Sequence, residues 1–368
     1  MKHKPPKVAI VHDWLYGGGA ERVVLALHRM FPDAPIYTSY CSPEWRERLD
    51  GKVVTGYLQR WPFSHLRKFL PYLRQRWFAG LDVSAYDLVI SSAGNGEAKF
   101  VRVDQERHIC YCHTPTHFYW RHYEQYVRQP GFRPYWLVRG ALRWLVGPLR
   151  RRDYQAAQRV GTFVANSTHI QADIKQFYDR EATVVHPPVD VTRFAAVTLP
   201  KQRRGFVTVG RQTPYKRQDV LIAACNQLKL PLLVIGNGPE HDRLQQLAGE
   251  TITFRTDAQD EELPKLVAGA EGFLFAALED FGIAPVEAMA AGTPVLAYEA
   301  GGALDYVVPK KTGWFFADQT VESLAPALEA FQAQQWDYGA IRNHAAQFSE
   351  ERFVRELQAV LAQVTDQS

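Results

Sequence analysis

The chain has 368 residues, 46% of them hydrophobic, which is enough for two domains with separate cores. Its four cysteines are too few and too scattered for a disulfide framework. No signal peptide and no apolar stretch of about 18 residues is recognised, so we expect a cytoplasmic protein. Residues 1–190 hold 27 Lys and Arg against 17 Asp and Glu, and residues 191–368 hold 16 against 22, within a net charge of +4. This split predicts two domains with different partners, one of them anionic.

The first half of the chain alternates short apolar strands with helical patterns. In chain order these are a strand in KVAIVHDW, a glycine loop in YGGG, a helix in AERVVLALHRMF, strands in YDLVISS, RHICYCH and TFVANS, and a helix in STHIQADIKQFY. The next stretch, ATVVHPPVDVTRF (182–194), contains a Pro-Pro pair that fixes an extended path. We therefore predict that it passes from one domain to the next.

The second half repeats the alternation. Its predicted strands are RGFVTVGR, PLLVIGNG, TITFRT, GFLFAAL and TPVLAY, and its predicted helices are KRQDVLIAACNQL, PEHDRLQQLAG, DEELPKLVAGA and PVEAMAAG. Short apolar strands between helices predict a parallel, doubly wound sheet in each half. The expected fold class is therefore α/β, with two Rossmann-like domains facing each other across a cleft. Ligands are expected beyond the carboxyl ends of the strands.

Two cations follow the first predicted strand of the second domain. Arg211 ends RGFVTVGR, and Lys216 lies five residues later, near the start of the next predicted helix. A loop that presents two cations beside a helix amino terminus suits an anion such as a pyrophosphate. Taken alone, the pair is more typical of a solvated charged loop.

A pair of glutamates frames a second loop, in LEDFGIAPVEAMAAG. A helix is predicted from about Ala284 to Gly292, because Pro285 fits only a first turn and Gly292 suits the position after a helix end. Glu279 then lies in the loop after a strand, and Glu287 lies in the helix. The free amides at the helix start can face phosphate oxygens, and the carboxylates can accept hydrogen bonds from sugar and ribose hydroxyls. For Glu287 alone, complementing the helix dipole is an alternative role.

Together these motifs resemble the retaining nucleotide-sugar glycosyltransferases of the GT-B fold, family 4. Within that family the chain is most similar to the mannosyltransferases of bacterial O-antigen and exopolysaccharide assembly. The resemblance rests on GRQTPYK, LEDFGIAPVEAMAAGTPVLA and GGALD (301–305), and extends to GGGAERVV, CYCHTP, NS and HPPVD, so that it covers nearly the whole chain. Two departures are Asp305, where many members have Glu, and TPTHFYW after His113, where TPMRYLW is commoner. The second departure leaves the acceptor open.

The resemblance implies a role for each matching residue. Arg211 and Lys216 would neutralise the diphosphate leaving group. Glu279 would contact the hydroxyls of the donor sugar, and Glu287 would contact the ribose. His113 would lie near the donor sugar and the acceptor. The implied catalytic residues are Arg211, Lys216, Glu279 and His113, and the implied donor-binding residues are Gly18, Gly19, Phe281, Gly282, Ile283, Ala284 and Glu287.

The resemblance also implies an acceptor-binding domain of residues 1–187 and a nucleotide-sugar-binding domain of residues 188–349. The helical pattern EERFVRELQAVLAQV, within residues 350–368, would cross back to the first domain. The family requires no cofactor and no metal, in agreement with the lack of a DxD-type carboxylate cluster. The implied enzyme is a metal-independent hexosyltransferase that retains configuration and needs no nucleophile of its own.

We expect the donor to be GDP-mannose and the acceptor to be a lipid-linked or growing glycan. UDP- or dTDP-sugars (GlcNAc, glucose, rhamnose) remain open as donors, because TDAQDEEL (256–263), where base-selecting residues are expected, indicates no purine preference. A nucleotide-sugar epimerase of the same fold would need an acid/base pair in the cleft. A dinucleotide-dependent oxidoreductase is indicated only by GGGAER, whose spacing is not G-x-G-x-x-G.

Two basic segments are rich in large apolar residues. Residues 57–80 hold five Arg and Lys, seven aromatic residues and no acid, and residues 131–152 hold six Arg and Lys and no acid. Such segments are typical of helices at an anionic membrane surface. We therefore expect peripheral association with the inner face of the cell membrane through both segments, and no nucleic acid as partner. The alternative is that these residues pack into the first domain while their arginines reach solvent.

Overall fold

The computed structural model describes residues 6–66, 70–94, 97–121, 123–128 and 134–365. The chain divides into two compact units. The first comprises residues 1–187 and 354–368, and the second comprises residues 188–353.

The first unit is built on one parallel sheet, which has seven strands in the described residues. Its strands are β1 Val8–His12, β2 Ile36–Thr38, β3 Val53–Val54, β4 Leu88–Ala93, β5 His108–Cys112, β6 Thr162–Ala165 and β7 Ala182–Val184. Their spatial order is β3-β2-β1-β4-β5-β6-β7. The order reverses between β1 and β4, which are paired, so this is the switch point of a doubly wound sheet.

Helices connect these strands. They are α1 Ala20–Met30, α2 Pro43–Arg48, α3 Phe63–Leu66, α4 Pro71–Ala79, α5 Tyr123–Arg128, α6 Tyr135–Gln158 and α7 Thr168–Tyr178. Every residue of β1, β4 and β5 is buried, which explains why these strands are largely apolar and do not alternate between apolar and polar residues. Each fully buried Val, Leu or Ile side chain contributes about 1.5–3 kcal/mol by leaving water.

The second unit contains another parallel sheet, of six strands over the described part of the chain. They are β8 Phe206–Val209, β9 Leu232–Ile235, β10 Ile252–Arg255, β11 Gly272–Phe275, β12 Val295–Tyr298 and β13 Gly313–Phe316. Their order is β10-β9-β8-β11-β12-β13, so the switch point lies between β8 and β11. The α/β fold class predicted from the sequence is confirmed by these two sheets.

The second unit also has helices on its sheet, and a long helix follows it. These are α8 Val191–Ala195, α9 Gln218–Leu228, α10 His241–Leu247, α11 Leu263–Ala268, α12 Ile283–Ala290, α13 Ala303–Tyr306, α14 Val321–Ala333, α15 Tyr338–Ala345 and α16 Glu350–Thr365. Most of α16 groups with the first unit, because residues from 354 onward belong to it.

The passage at 182–194 was predicted to be extended, and this is wrong only for its last residues, which are helical. Its first residues form β7, which pairs with β6, and its last residues form α8. The Pro-Pro pair constrains only the residues beside it. Beyond the pair, Asp190 caps α8 by accepting a hydrogen bond from the Arg193 amide at 3.2 Å, and Val191 and Phe194 are buried three residues apart.

Both basic aromatic segments contain buried as well as exposed residues. In residues 57–80, Arg74, Trp77 and Phe78 are buried, so for these residues the expectation of a membrane surface is wrong and packing into the unit is correct. Trp61 of the same segment is 79% exposed, and in residues 131–152 Trp144 is 80% exposed. Residues 67–69 and 131–133 of these segments lie outside the described residues. No helix in the described ranges has both the length and the apolar character needed to cross a bilayer.

Candidate active site

One group of candidate residues lies in the second unit, where two loops leave neighbouring strands. Arg211 follows β8, and Glu279 follows β11 after a short run of mostly buried residues. These are the strands at which the order of the sheet reverses. Loops diverge at such a point and leave room for a ligand. The structure therefore places Arg211 and Glu279 at the switch point of the second sheet.

Lys216 and Glu279 form an ion pair between these two loops. The Lys216 ammonium donates a hydrogen bond to Glu279 Oε1, and the two side chains are 16% and 20% exposed. Burial disfavours the charged ammonium, but Glu279 and Tyr215 outweigh it and raise the pKa of Lys216 above its ordinary value. Lys216 is therefore protonated at neutral pH, and both charged groups keep some access to solvent.

Arg211 and Lys216 differ in exposure and in ion pairing. Arg211 is exposed, and among the described residues no carboxylate forms an ion pair with it. Its guanidinium therefore has a full set of donors available for a phosphate. The sequence predicted Lys216 near a helix start, and Lys216 lies two residues before α9, where it ends a 3₁₀ turn, Pro214–Lys216. Arg217, at φ 51°, separates this turn from α9 because a left-handed residue interrupts the helical path.

Helix α12 begins directly after the Glu279 loop. Gly282 is its N-cap, and Pro285 is its third residue, where an amide would have no acceptor within the helix. At the other end Gly292 has a φ of 77°, and the amides of Gly292 and Thr293 donate to carbonyls of the last turn at 2.8 and 2.9 Å. These two bonds form a Schellman motif. The predicted helix from about Ala284 to Gly292 is confirmed to within two residues at each end.

The four residues of the predicted phosphate-binding turn have different surroundings. Phe281 is buried with its ring 5.6 Å from that of Tyr306, so its side chain belongs to the core. Gly282 has a φ of 93°, and a Cβ there would lie 2.8 Å from the Tyr306 hydroxyl. Ile283 and Ala284 are half-buried in the first turn of α12. Their backbone amides are donors that no carbonyl of the helix can accept from.

The glycine pair of the GGALD stretch supports this loop. The Gly302 amide donates to the Glu279 carbonyl at 2.9 Å. A Cβ at Gly301 would lie 2.4 Å from that carbonyl oxygen, and a Cβ at Gly302 would lie 2.3 Å from Phe281 Cα. Only glycine permits such a close approach of two backbones. The pair therefore holds the position of Glu279.

Glu287 contacts a cation that the sequence analysis did not identify. Arg193 Nη2 lies 3.9 Å from Glu287 Oε1, and Arg193 Nη1 donates to the Asp260 carbonyl at 3.3 Å. Asp260 belongs to the TDAQDEEL stretch, where base-selecting residues are expected. Arg193 therefore connects the expected ribose and base regions. It carries no spacing signal, because its position depends on the packing of α8 against α12.

A second group of candidate residues lies in the first unit. Gly18 and Gly19 are exposed in the loop between β1 and α1. Glu21, in the first turn of α1, is buried and accepts a hydrogen bond from the Gly17 amide at 3.0 Å. A carboxylate in this position also complements the helix dipole. Glu21 therefore holds the glycine loop, a role that its place in GGGAERVV could have indicated.

His113 follows β5 and is buried beside the switch point of the first sheet. Its Nε2 lies 2.8 Å from Ser92 Oγ in β4, and that hydroxyl lies 3.1 Å from His12 Nδ1 in β1. Burial, with a smaller contribution from His12, lowers the pKa of His113 to about 3. The imidazole is therefore neutral at physiological pH.

Asp153 fixes the loop that follows His113. This fully buried carboxylate on α6 accepts hydrogen bonds from Lys99 Nζ at 2.6 Å, Thr116 Oγ1 at 3.0 Å, Trp120 Nε1 at 2.8 Å and the Tyr178 hydroxyl at 2.7 Å. Four donors around one carboxylate satisfy its hydrogen-bonding capacity. Thr116 is one of the residues of TPTHFYW that depart from TPMRYLW, and Trp120 is common to both patterns, so Asp153 ties this loop to α6 and α7.

The structure therefore gathers the predicted residues into two groups, one in each unit. Arg211, Lys216, Glu279, the turn at 281–284 and Glu287 belong to the second unit, and Gly18, Gly19 and His113 belong to the first. Within the described ranges, no cluster of three or more His, Cys, Asp and Glu side chains is arranged to hold a metal ion.

In comparison with known families, each half of the chain matches a glycosyltransferase family model. Residues 17–193 match the family model described as Glycosyltransferase Family 4, and residues 192–351 match the one described as Glycosyl transferases group 1. The two matches meet close to the division between the two units.

Similar proteins include two mannosyltransferases. The chain is 30% identical over 221 residues to the GDP-mannose-dependent alpha-(1-6)-phosphatidylinositol monomannoside mannosyltransferase of Mycolicibacterium smegmatis, covering 50% of this chain and 56% of that protein. It is 25% identical over 377 residues to the alpha-1,3/1,6-mannosyltransferase alg2 of Schizosaccharomyces pombe, covering 85% and 71%. The chain thus spans little more than half the length of the first relative.

A solved structure with a similar fold is that of Anabaena HepE in complex with UDP. The TM-score is 0.71 and the identity is 18%, over 97% of this chain and all of that one. At this identity the likeness concerns the fold.

Proposed function

This chain belongs to the family 4 glycosyltransferases of the GT-B fold, and on that premise we propose that it transfers mannose from GDP-mannose with retention of configuration. The observation that carries this proposal is the Lys216–Glu279 ion pair at the switch point of the second sheet, beside the start of α12. The pair and the first turn of α12 together bring a cation, a carboxylate and free backbone amides into one loop cluster. In this proposal the second unit binds the donor and the first unit binds the acceptor.

The proposed chemistry is the management of negative charge. As the bond between the anomeric carbon and the diphosphate oxygen breaks, charge develops on the diphosphate. Arg211, Lys216 and the first-turn amides of α12 stabilise that charge, and each such preorganised contact contributes about 3 kcal/mol. The acceptor hydroxyl attacks from the same face, and its proton passes to the departing phosphate oxygen. No residue of the enzyme forms a bond to the sugar.

Glu279 has two tasks in this scheme. Its pairing keeps the Lys216 ammonium in place and protonated before the donor binds. Because the carboxylate is partly exposed, it can also accept hydrogen bonds from sugar hydroxyls. Glu287, with Arg193 beside it, accepts hydrogen bonds from the ribose diol. A carboxylate in each place disfavours a phosphate there and so orients the donor.

Mannose as the transferred sugar and GDP as its carrier are supported by the names of the similar proteins. Both relatives named above are mannosyltransferases, and one is named as GDP-mannose-dependent. The structure with a similar fold contains UDP, which keeps UDP-sugars as the alternative donors.

A panel of nucleotide sugars tests the proposal. The protein is incubated with GDP-mannose, UDP-glucose, UDP-GlcNAc and dTDP-rhamnose, each with a bacterial lipid extract as acceptor, and nucleotide release and glycolipid formation are measured. We expect release and transfer from GDP-mannose. Transfer only from a UDP- or dTDP-sugar would overturn GDP-mannose as the donor but would support sugar transfer as the reaction. An epimerised sugar without transfer would indicate an epimerase. Failure of every donor to bind in calorimetry would overturn the proposal.

We further propose that the acceptor is lipid-linked and that α6 holds the first unit on the inner membrane surface. Trp136, Leu137 and Trp144 are 74%, 53% and 80% exposed, and at helical spacing they share one side of α6. Arg139 and Arg143 flank them, and both are exposed. Exposed tryptophans beside arginines are typical of interfacial helices. Burial of α6 begins only at Leu149, so its first half is available for a surface.

Liposome flotation tests this second proposal. Wild-type protein should float with vesicles containing anionic lipid at low salt and less so at high salt, because the arginines are screened. The double variant Trp136→Ala/Trp144→Ala should lose most of this binding. Leu247→Ala, which removes an exposed apolar residue of the second unit, is the matched control. Equal flotation of all three proteins, or no flotation of the wild type, would contradict it.

A further inference from the structure

Ser92 lies fully buried in β4 between two histidine rings. His12 Nδ1 lies 2.9 Å from the Ser92 carbonyl oxygen and 3.1 Å from its Oγ. On the other side, Ser92 Oγ lies 2.8 Å from His113 Nε2. Among the described residues, the Ser92 hydroxyl has no other hydrogen-bonding neighbour. The three side chains form a short hydrogen-bonded series at the switch point of the first sheet.

The carbonyl oxygen of Ser92 decides which atoms donate and which accept in this hydrogen-bonded series. A carbonyl only accepts, so His12 Nδ1 must carry a hydrogen and donate it. A ring nitrogen that carries a hydrogen cannot accept one from Ser92. The hydroxyl proton of Ser92 therefore has a single acceptor within reach, His113 Nε2. In the opposite arrangement Ser92 Oγ would receive two hydrogens while its own had no acceptor, which is costly in a buried site.

The direction decides which nitrogen of His113 carries the proton. In a neutral imidazole one nitrogen accepts and the other carries the hydrogen. We infer that Ser92 is a positioning residue that keeps the His113 proton on Nδ1, so that His113 presents a hydrogen-bond donor, and not a base, to an oxygen atom of a bound ligand. Burial supports this because it keeps the ring neutral. Within the described residues Nδ1 has no protein partner, so it is the nitrogen open to a ligand.

The identity of that oxygen rests on the proposed function. In the proposed transferase it is a hydroxyl oxygen of the acceptor, which the first unit binds, and its lone pair accepts from Nδ1–H. Because His113 Nδ1 already carries a hydrogen, it cannot remove the proton of the attacking hydroxyl of the sugar acceptor. That agrees with a reaction in which the departing phosphate takes the proton.

The proton position is measured directly by NMR on the free protein labelled with ¹⁵N-histidine, through long-range couplings between the ring carbon-bound hydrogens and the nitrogens. The spectrum of His113→Asn assigns the His113 signals. We expect a protonated Nδ1 and an unprotonated Nε2 in the wild type and in Ser92→Thr, which keeps the hydroxyl. Ser92→Ala should shift the ring towards the other tautomer. A protonated Nε2 in the wild type, or an unchanged ring in Ser92→Ala, would overturn the inference.

A kinetic comparison gives the second readout. Ser92→Ala should lower kcat/KM for sugar transfer roughly tenfold, the effect of one misdirected hydrogen bond, and Ser92→Thr should restore it. Equal losses in Ser92→Ala and Ser92→Thr would indicate a packing role only and would overturn the positioning role. The NMR result does not depend on any donor, so it stands or falls separately from the proposed transferase activity.

Discussion

The carboxyl edges of the two sheets hold their functional groups by different means. In the first unit His12, Ser92 and His113 are buried and connected by hydrogen bonds. In the second unit Lys216 and Glu279 are charged and partly exposed, and Arg211 is exposed. Both sets lie at the switch point of a doubly wound sheet, so the same topology carries two kinds of chemistry.

The difference follows from the cost of burying charge. A neutral imidazole can be buried without a counter-charge, and the surrounding groups then fix its orientation. An ammonium that must meet a phosphate needs a counter-charge before the ligand arrives, and solvent access so that the pair can open. The first edge is therefore suited to orienting hydroxyls, and the second to binding an anion.

The largest effect should come from removing a buried carboxylate of the first unit. Asp153→Ala removes the carboxylate that accepts from four donors, among them the ammonium of Lys99 in an ion pair whose two side chains are both buried, and should lower the free energy of unfolding by about 3–5 kcal/mol. Glu279→Ala removes a partner that is 20% exposed, and the Lys216 ammonium keeps some access to solvent, so the loss should be clearly smaller. Urea denaturation at pH 7 compares the two. Equal losses would break the contrast between the two edges.

The next effect should appear in activity and not in stability. Lys216→Ala should reduce the rate of sugar transfer by about 10²–10³-fold, because a preorganised cation is lost from the leaving group. Lys311→Ala removes an exposed lysine of the same unit and serves as the control. Transfer assays under saturating donor measure both. A rate for Lys216→Ala close to that of Lys311→Ala would contradict the role of the ion pair.

The burial of His113 should appear in the pH dependence of stability. Its folded pKa of about 3 lies below the unfolded value near 6.5, so unfolding takes up a proton between these values and stability falls as the pH falls through this window. From pH 7 to 5 this contributes about 2 kcal/mol of lost stability, which His113→Gln should remove. Urea denaturation at both pH values measures it. The control is His65→Gln, at an exposed position, which should lose as much stability between pH 7 and pH 5 as the wild type. If His113→Gln loses that same amount over this pH range, the prediction is contradicted.

The smallest effect should follow the loss of Arg193. Its Nη2 lies 3.9 Å from Glu287, and its side chain is one-third exposed, so Arg193→Ala should change the free energy of unfolding by less than about 1 kcal/mol. Calorimetric binding of GDP should weaken by a few-fold, because Arg193 connects the expected ribose and base regions. Arg243→Ala, a half-exposed arginine of the same unit, is the control. Identical GDP affinity in both variants would remove Arg193 from the site.

Much of the fold could be predicted from local patterns. The apolar runs that became β1, β5 and β11 are recognisable because central parallel strands are buried on both faces. Helix α12 could be bounded because Pro285 and Gly292 act through their own backbone restrictions. The positions of Glu279 and Glu287 on either side of the helix start follow from the same residues.

Other features depended on packing between distant segments. The burial of Arg74 is explained by its ion pair with the equally buried Glu97 at 2.8 Å, a partner 23 residues away. The turn that holds Lys216 outside α9 depends on the left-handed residue Arg217, which has no strong sequence signal. Arg193 reaches Glu287 only because α8 packs on α12.

The sequence by itself determined the alternation of strands and helices, the two-part organisation and the residue types of both sites. These properties arise from periodicity, backbone restriction and short-range spacing, which are local. The tertiary structure alone decided that Lys216 pairs with Glu279, and that Ser92 lies between His12 and His113. In a parallel sheet the neighbours of a residue come from strands far away in the chain, so strand order and register, and not spacing, decide which side chains meet.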